Sequence, residues 1–291
     1  MFFRGYRLET VNYDLLGGYV NSYILETENN IFVIDANVGS AKQQFEKTLS
    51  GFPSGKKPIT VLLTHGHWDH VSLAGWLQAE YGAKVLAPAG SSRMMKDPEM
   101  QLTALYDRFA TERPFSPQIR ELYMKEFAYP ASPDGIVSEG DGFCDTNFSL
   151  KVISTPGHWG DCVTYFEEYS RAAFCGDAVQ ADGLDGNAPF YVDAQAYICS
   201  IERLKALEPM MLLGGHMAVM GPSSCRQMLD LSVSVCRRID AFLEDSDITK
   251  SPVVLAEEFC RRFGYAYGIH AVSVLQAHIS VKERQKNAVR A

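Results

Sequence analysis

The 291 residues are 46% hydrophobic and 21% charged, enough to bury a sizeable core and unlike a disordered chain. A formal net charge of -8 at pH 7, with Lys and Arg scattered rather than grouped, speaks against a nucleic-acid partner, because phosphate binding needs a basic footprint. The seven cysteines (Cys144, Cys162, Cys175, Cys199, Cys225, Cys236 and Cys260) are odd in number and form no C-x-x-C pair, so they read as mostly buried thiols rather than a disulfide framework or a zinc ribbon.

MFFRGYRLETVNYD, at the start, turns polar after two Phe and one Arg and shows no signal-peptide apolar core. No apolar run approaches the roughly 20 residues that span a bilayer. The expectation is a cytoplasmic protein without a membrane partner. Short β-rich runs follow in order: IFVID (31–35), ITVLLT (59–64), KVLAP (84–88), FSLKVIS (148–154), VTYFEE (163–168), AAFCGD (172–177) and MMLLGG (210–215). Several are apolar on both faces, which predicts a sheet covered by further layers. GFPSGKK (51–57) has only three residues between its glycines and no Ser or Thr after the Lys pair, so it is not a phosphate loop.

Between Pro88 and Gly135 the pattern turns helical, with DPEMQLTALYDRF and SPQIRELYMKEF separated by Pro114 and Pro117. This predicts an inserted helical cap of about 88–135. Its apolar residues include Met94, Met95, Met100, Leu102, Leu105, Tyr106, Phe109, Phe115, Tyr123 and Phe127. They are read chiefly as packing onto the sheets, and alternatively as an adaptable wall over a site. After Gly221 helices take over: Met228, Leu231, Val235, Ile239 and Phe242 form a stripe, Ser251 with Pro252 an N-cap, Leu255, Phe259 and Phe263 a second stripe, and Val272, Leu275 and Ile279 a third. The division expected is a catalytic domain over 1–225 and a helical C-terminal extension over 226–291.

The chemistry concentrates in ITVLLTHGHWDH, where His65, His67, Asp69 and His70 follow a strand within six residues. Imidazole and carboxylate are preferred zinc ligands, and four in one turn can serve both halves of a binuclear site. His158, Asp177 and His216 each follow a further predicted strand, and ligands gather where strand C-termini share an edge. Gly66, Gly157, Gly176, Gly214 and Gly215 sit beside these residues, where close backbone approach is needed. His270 and His278 lie in the helical tail and read as ordinary surface or core histidines. There is no G-x-S-x-G elbow and no cysteine signature for covalent catalysis.

These motifs resemble the metallo-β-lactamase-fold superfamily. THGHWDH matches its H-x-H-x-D-H motif, and TPGHWGD, FCGDAV and GGH match its later His, Asp and His motifs over about residues 10–225, with GGYVNSYILETENNIFVIDAN similar to its opening hairpin. The resemblance implies an α/β fold, an αβ/βα four-layer sandwich with the helical insertion and extension added. It implies two Zn2+, with Fe or Mn as alternatives. His65, His67 and His158 would bind one metal, Asp69, His70 and His216 the other, and Asp177 would bridge. Asp69 would also orient the attacking hydroxide. Trp159, where a small or hydroxyl residue is usual, would partly wall the pocket, and GGHMAVMGP lengthens the usual turn after the last His. A tyrosine often assists in this superfamily, and Tyr191 and Tyr197 are among the candidates.

The activity implied is a metal-dependent hydrolase of a small ester, thioester or lactone, resembling glyoxalase II-like and lactonase-like members. Its partner would be a small molecule, and a homo-oligomer stays open. A phosphodiesterase or ribonuclease is the first rival and a mononuclear-iron sulfur dioxygenase the second. Flavodiiron proteins fit less well, since they resemble H-x-E-x-D where this chain has His67. A non-catalytic binding module ranks last, because the ligand set is complete.

Overall fold

The computed structural model describes residues 1–15, 18–52, 57–104, 117–181, 183 and 186–290. Residues 53–56 of the rejected phosphate loop, and Leu105, Tyr106, Phe109, Pro114 and Phe115 of the expected cap, lie outside the described residues.

The β-rich runs pair into two sheets. The first takes β1 (Phe2–Phe3), β2 (Tyr6–Leu15), β3 (Gly18–Glu26), β4 (Ile31–Ile34), β5 (Ile59–Leu62), β6 (Lys84–Pro88) and β7 (Gly135–Val137) in sequence order, antiparallel up to β4 and parallel from there. The second, in the order β12-β11-β10-β9-β8, uses β8 (Gly142–Asp145), β9 (Phe148–Ser154), β10 (Val163–Glu167), β11 (Ala172–Gly176) and β12 (Met211–Gly214). β11 and β12 are parallel and the rest antiparallel.

Alternation along each strand explains why runs such as IFVI are apolar throughout. Phe32 and Ile34 point into a core shared with Phe148, Val152, Tyr165 and Phe174 of the second sheet. Ile31 and Val33 point the other way, toward Phe45, Leu49, Trp76 and Leu77 of α1 (Lys42–Ser50) and α3 (Ala74–Tyr81). Such a strand is buried on both faces because period-two side chains meet a different layer on each side. The second sheet is covered in turn by α7 (Ala194–Ala206), α8 (Pro222–Glu244), α9 (Pro252–Phe263) and α10 (Ile269–Arg290), which share one core with it. The result is the expected αβ/βα layering.

In the insertion, α4 (Ser91–Met94), α5 (Pro98–Leu102) and α6 (Pro117–Glu126) are helical as predicted. Met95, Leu102, Tyr123 and Phe127 join the core outside the first sheet. The buried Glu126 carboxylate accepts from the Ser40 amide (2.8 Å) and hydroxyl (2.6 Å), which ties the insertion to the sandwich.

Helix α8 corrects one expectation. Val235, Ile239 and Phe242 of its predicted stripe are buried, but Leu231 is 37% exposed and Met228 only partly buried. Cys225, Leu229 and Ser232 take the core positions on the first turns. Ser232 can do so because its hydroxyl donates to the Met228 carbonyl (3.0 Å) and accepts from the Ala181 amide (3.1 Å). The Ser251 side chain caps α9 by accepting from the Val254 amide, as its place before Pro252 predicts. Val272, Leu275 and Ile279 of α10 are buried, and all seven cysteines are free, with Cys144 and Cys199 exposed.

Candidate metal centre

Strand ends deliver the seven predicted residues to one edge of the sandwich. His65 follows β5, and His67 stands at the start of the short helix α2 (Trp68–Val71), which carries Asp69 and His70. His158 follows β9, Asp177 comes directly after β11, and His216 lies two residues beyond β12. Their donor atoms converge in three overlapping groups: His65, His67 and His158; His65, His70 and Asp177; and Asp69, His70 and His216. His158 Nε2 is 2.9 Å from His67 Nδ1, and His216 Nε2 is 3.0 Å from Asp69 Oδ2. Asp177 stands between the groups, 3.5 Å from His158 Nε2, 3.3 Å from His70 Nε2 and 3.3 Å from His216 Nε2.

Partners on the far side of four of the five rings set the tautomer. His70 Nδ1 donates to Asp35 Oδ2 (2.8 Å), His158 Nδ1 to the Phe190 carbonyl (2.7 Å) and His216 Nδ1 to the Tyr19 carbonyl (2.6 Å). The Thr64 hydroxyl donates to Asp35 Oδ2 (2.8 Å) and so accepts from His65 Nδ1 (3.0 Å). A neutral imidazole that spends its proton outward presents a bare lone pair inward, as metal ligation requires. His65 Nε2, His70 Nε2 and Asp177 Oδ1 are buried without a hydrogen-bond partner. Orphaned buried acceptors are costly, and a cation at their focus would satisfy them. The donor set therefore fits divalent metal.

Electrostatics agree with a site built around positive charge. Burial, reinforced by neighbouring imidazoles, holds His65 and His67 well below the ordinary histidine range. At His216 burial acts the same way but Asp177 and Asp69 outweigh it, pushing the ring up to about 10. Burial also opposes ionisation of Asp69, yet His70 and His216 draw it down to about 2. A dication entering here displaces protons held between these carboxylates and imidazoles.

Glycine is required at two of the marked positions. A Cβ on Gly215 would lie 2.4 Å from His70 Cε1 and 2.5 Å from Asp177 Oδ1. Gly157 has φ +139°, and a Cβ there would come within 2.4 Å of the Tyr197 Cα.

Five of the seven residues border a cleft of about 220 Å³, lined by His67, Trp68, Asp69, His158, Asp177, Gln180, Phe190, His216, Ile269 and His270. An adjoining cavity of about 180 Å³ shares Asp177, Gln180 and His216 and continues to Val179, Met217, Met228 and Leu231. That is where the two α8 residues missing from the core point. The described insertion residues follow the chief reading, packing rather than walling: none of them lines the cleft, and the C-terminal helix α10 contributes Ile269 and His270 to its wall. His270 is thus not an ordinary tail histidine, whereas His278 is buried in the core, bonded to Tyr191 Oη (2.8 Å) and Asp240 Oδ1 (2.8 Å). Trp159 packs its ring 5.1 Å from that of His67 and lies behind the cleft lining rather than in it.

Tyr191 and Tyr197 are fully buried and outside the cleft lining; Tyr197 Oη accepts from the Gln180 amide (3.1 Å). Sequence reasoning missed Asp35, Gln180 and Phe190. Asp35 closes the IFVID strand, so its strand-end position was a usable signal. Gln180 and Phe190 carry none: the Gln180 side chain bonds Asp177 Oδ2 (3.1 Å), and its Oε1 accepts from the Phe190 amide (2.7 Å).

Comparison with known proteins agrees with this geometry. Residues 15–216 match the family model described as the metallo-beta-lactamase superfamily. The hydroxyacylglutathione hydrolase of Francisella philomiragia is 27% identical over 64% of this chain and 58% of its own length. This chain therefore aligns with little more than half of that relative. The hydroxyacylglutathione hydrolase of Haemophilus influenzae is 27% identical over 67% of this chain and 84% of its own. A metallo-beta-lactamase family protein from Thermus thermophilus superposes with a TM-score of 0.74 at 22% identity, covering 97% of this chain and 95% of that one.

Proposed function

Because the chain belongs to the metallo-beta-lactamase superfamily and resembles hydrolases in it, we propose that it hydrolyses a small ester, thioester or lactone with two zinc ions. In this reading His65, His67 and His158 hold one metal, Asp69, His70 and His216 hold the other, and Asp177 bridges. The catalytic domain is residues 1–225, and the extension 226–291 supplies one wall of its cleft. Zinc held by these residues would lower the pKa of water to about 7 and polarise a scissile carbonyl.

The chain's own groups do the rest. Asp69 lines the cleft with its carboxylate 3.0 Å from His216, where it accepts a hydrogen from the attacking water and aims the oxygen lone pair. Asp35, Thr64, Phe190 and Tyr19 hold the imidazoles in place from behind. Trp68, Phe190 and Ile269 offer an apolar bed for an acyl group and exclude water.

The single observation that carries the choice of substrate class is the cleft wall. Among the described residues lining it there is no Lys or Arg. A phosphodiester or RNA would bring negative charge to a wall without compensation, on a chain of net charge -8. Two hydroxyacylglutathione hydrolases among its relatives support a thioester. The seven free cysteines support a reducing, cytoplasmic location, and no described helix is long and apolar enough to cross a membrane.

The test is a panel of thioesters, lactones and aryl esters assayed beside bis(p-nitrophenyl) phosphate and a short RNA, with zinc-loaded protein. Turnover of at least one carbonyl class well above both phosphodiesters is expected. The reverse order would replace this reading with the phosphodiesterase one.

A further inference from the structure

Among the described residues lining the cleft, His270 is a titratable group outside the proposed ligand set. His270 is the second residue of α10, partly buried, with its ring 5.4 Å from that of Phe190. Phe190 is the residue whose carbonyl holds the His158 ring, so His270 is registered to the metal ligands through a single intermediary. Its helix is firmly anchored. Ser273 Oγ donates to the Tyr191 carbonyl (2.8 Å), and His278 joins Tyr191 to Asp240.

The backbone carbonyl of the fully buried Ala188 favours a proton on the His270 ring. A carbonyl only accepts, so a ring nitrogen turned to it keeps the proton. Burial, with His158 and His216 nearby, lowers the ring to about 4 and keeps it neutral at pH 7. Its second nitrogen is then an acceptor, and no described group donates to it. A positioned acceptor in an apolar cleft discriminates strongly, because a ligand without the matching donor leaves it desolvated and unpaired.

We propose that His270 is a substrate-positioning residue whose free ring nitrogen accepts a hydrogen bond from a hydroxyl or amino group near the carbonyl of the acyl portion, selecting acyl groups that carry such a donor. This rests on the hydrolase reading for the word substrate, and its test is chosen to fail separately.

Binding to zinc-loaded protein is measured by isothermal titration calorimetry for two matched pairs of carboxylates: phenylacetate against mandelate, both enantiomers, and 3-phenylpropionate against 3-hydroxy-3-phenylpropionate. At least one hydroxylated member should bind about 10-fold tighter than its parent. His270→Phe should reduce that preference to about 2-fold or less. His270→Asn, whose amide oxygen can accept, should restore part of it. Zinc content and thermal midpoint, measured on each variant, confirm that the protein is folded and loaded. With the matching ethyl esters, the hydroxyl preference should appear in KM more than in kcat. Equal binding of both members of every pair, no binding by any of them, or a preference that survives His270→Phe would overturn the proposal. If the carboxylates obey the pattern while no ester, thioester or lactone is turned over, the hydrolase reading falls and the ligand preference stands.

Discussion

Asp35 Oδ2 lies 2.8 Å from His70 Nδ1 and accepts at the same time from the Thr64 hydroxyl, so one carboxylate at the end of β4 aligns two candidate metal ligands. Asp35 also adopts φ +60°, a left-handed conformation that Asp and Asn tolerate better than other residues with a Cβ. Asp35→Asn preserves that backbone and most of the volume but removes the charge. We expect a loss of about 10- to 100-fold in zinc affinity, read by chelator competition, with the circular dichroism spectrum unchanged. An affinity equal to that of the parent protein would show that Asp35 plays no part in aligning the ligands.

Seven donors exceed what one tetrahedral centre uses, so plasma emission on zinc-incubated protein should give close to two metals per chain. Asp177→Ala removes the carboxylate within 3.5 Å of three histidines and should take the count to one or below. His278→Ala is the contrasting variant. It breaks the Tyr191–His278–Asp240 network in the core, with an expected cost of about 2–4 kcal/mol, a lowered thermal midpoint and an unchanged metal count. A stoichiometry that never exceeds one in the parent protein refutes the binuclear assignment.

Gly215→Ala tests close backbone approach. The added methyl meets the His70 ring and the Asp177 carboxylate within 2.5 Å, and neither can retreat without leaving its partners. Zinc affinity and hydrolysis should fall at least 10-fold while the thermal midpoint of the metal-free protein moves by only a few degrees. Full activity with full zinc content would mean that the edge is looser than these distances imply.

At the opposite end of the sandwich Asp145 joins the sheets. Its carboxylate accepts from Thr27 Oγ1 (2.7 Å), the Asn29 amide (2.9 Å) and the Asn30 side chain (3.0 Å), all in the turn between β3 and β4. Slight burial opposes ionisation, but these hydrogen bonds hold its pKa well below the usual carboxylate range. A folded-state pKa depressed below the unfolded value of about 3.9 gives stability that is complete above that value, declines below it and is lost once the pH falls through the folded-state pKa. Asp145→Asn should therefore lower the urea midpoint at pH 7 and at pH 5, by on the order of 1 kcal/mol, with the gap closing below about pH 3.5. A gap independent of pH would remove the ionised carboxylate from the explanation.

The seven candidate metal ligands were legible because their sequence neighbours announce them: imidazoles and carboxylates at the ends of apolar strands leave few alternatives to a shared edge. Strands buried on both faces, such as β4 and β10, were legible from continuous apolar runs, and the Ser251 cap from local chemistry. The early β2 and the short β7 and β8 were not, because YRLETVNYDL mixes polar with apolar residues and three- or four-residue strands take their identity from the neighbour they pair with. The Met228 and Leu231 stripe misled for a related reason. Helical periodicity reports which residues are apolar, and cannot say whether an apolar face meets the core or a cavity beside the candidate metal ligands. His270 shows the limit most clearly. Nothing within ten residues of it in the chain marks it as part of the site, and only the folding of α10 back across the cleft brings it beside Phe190. A candidate ligand motif is local chemistry and can be read from the chain, whereas the walls of the cleft come from segments up to about two hundred residues apart, which meet only because burying their apolar faces packs those segments together.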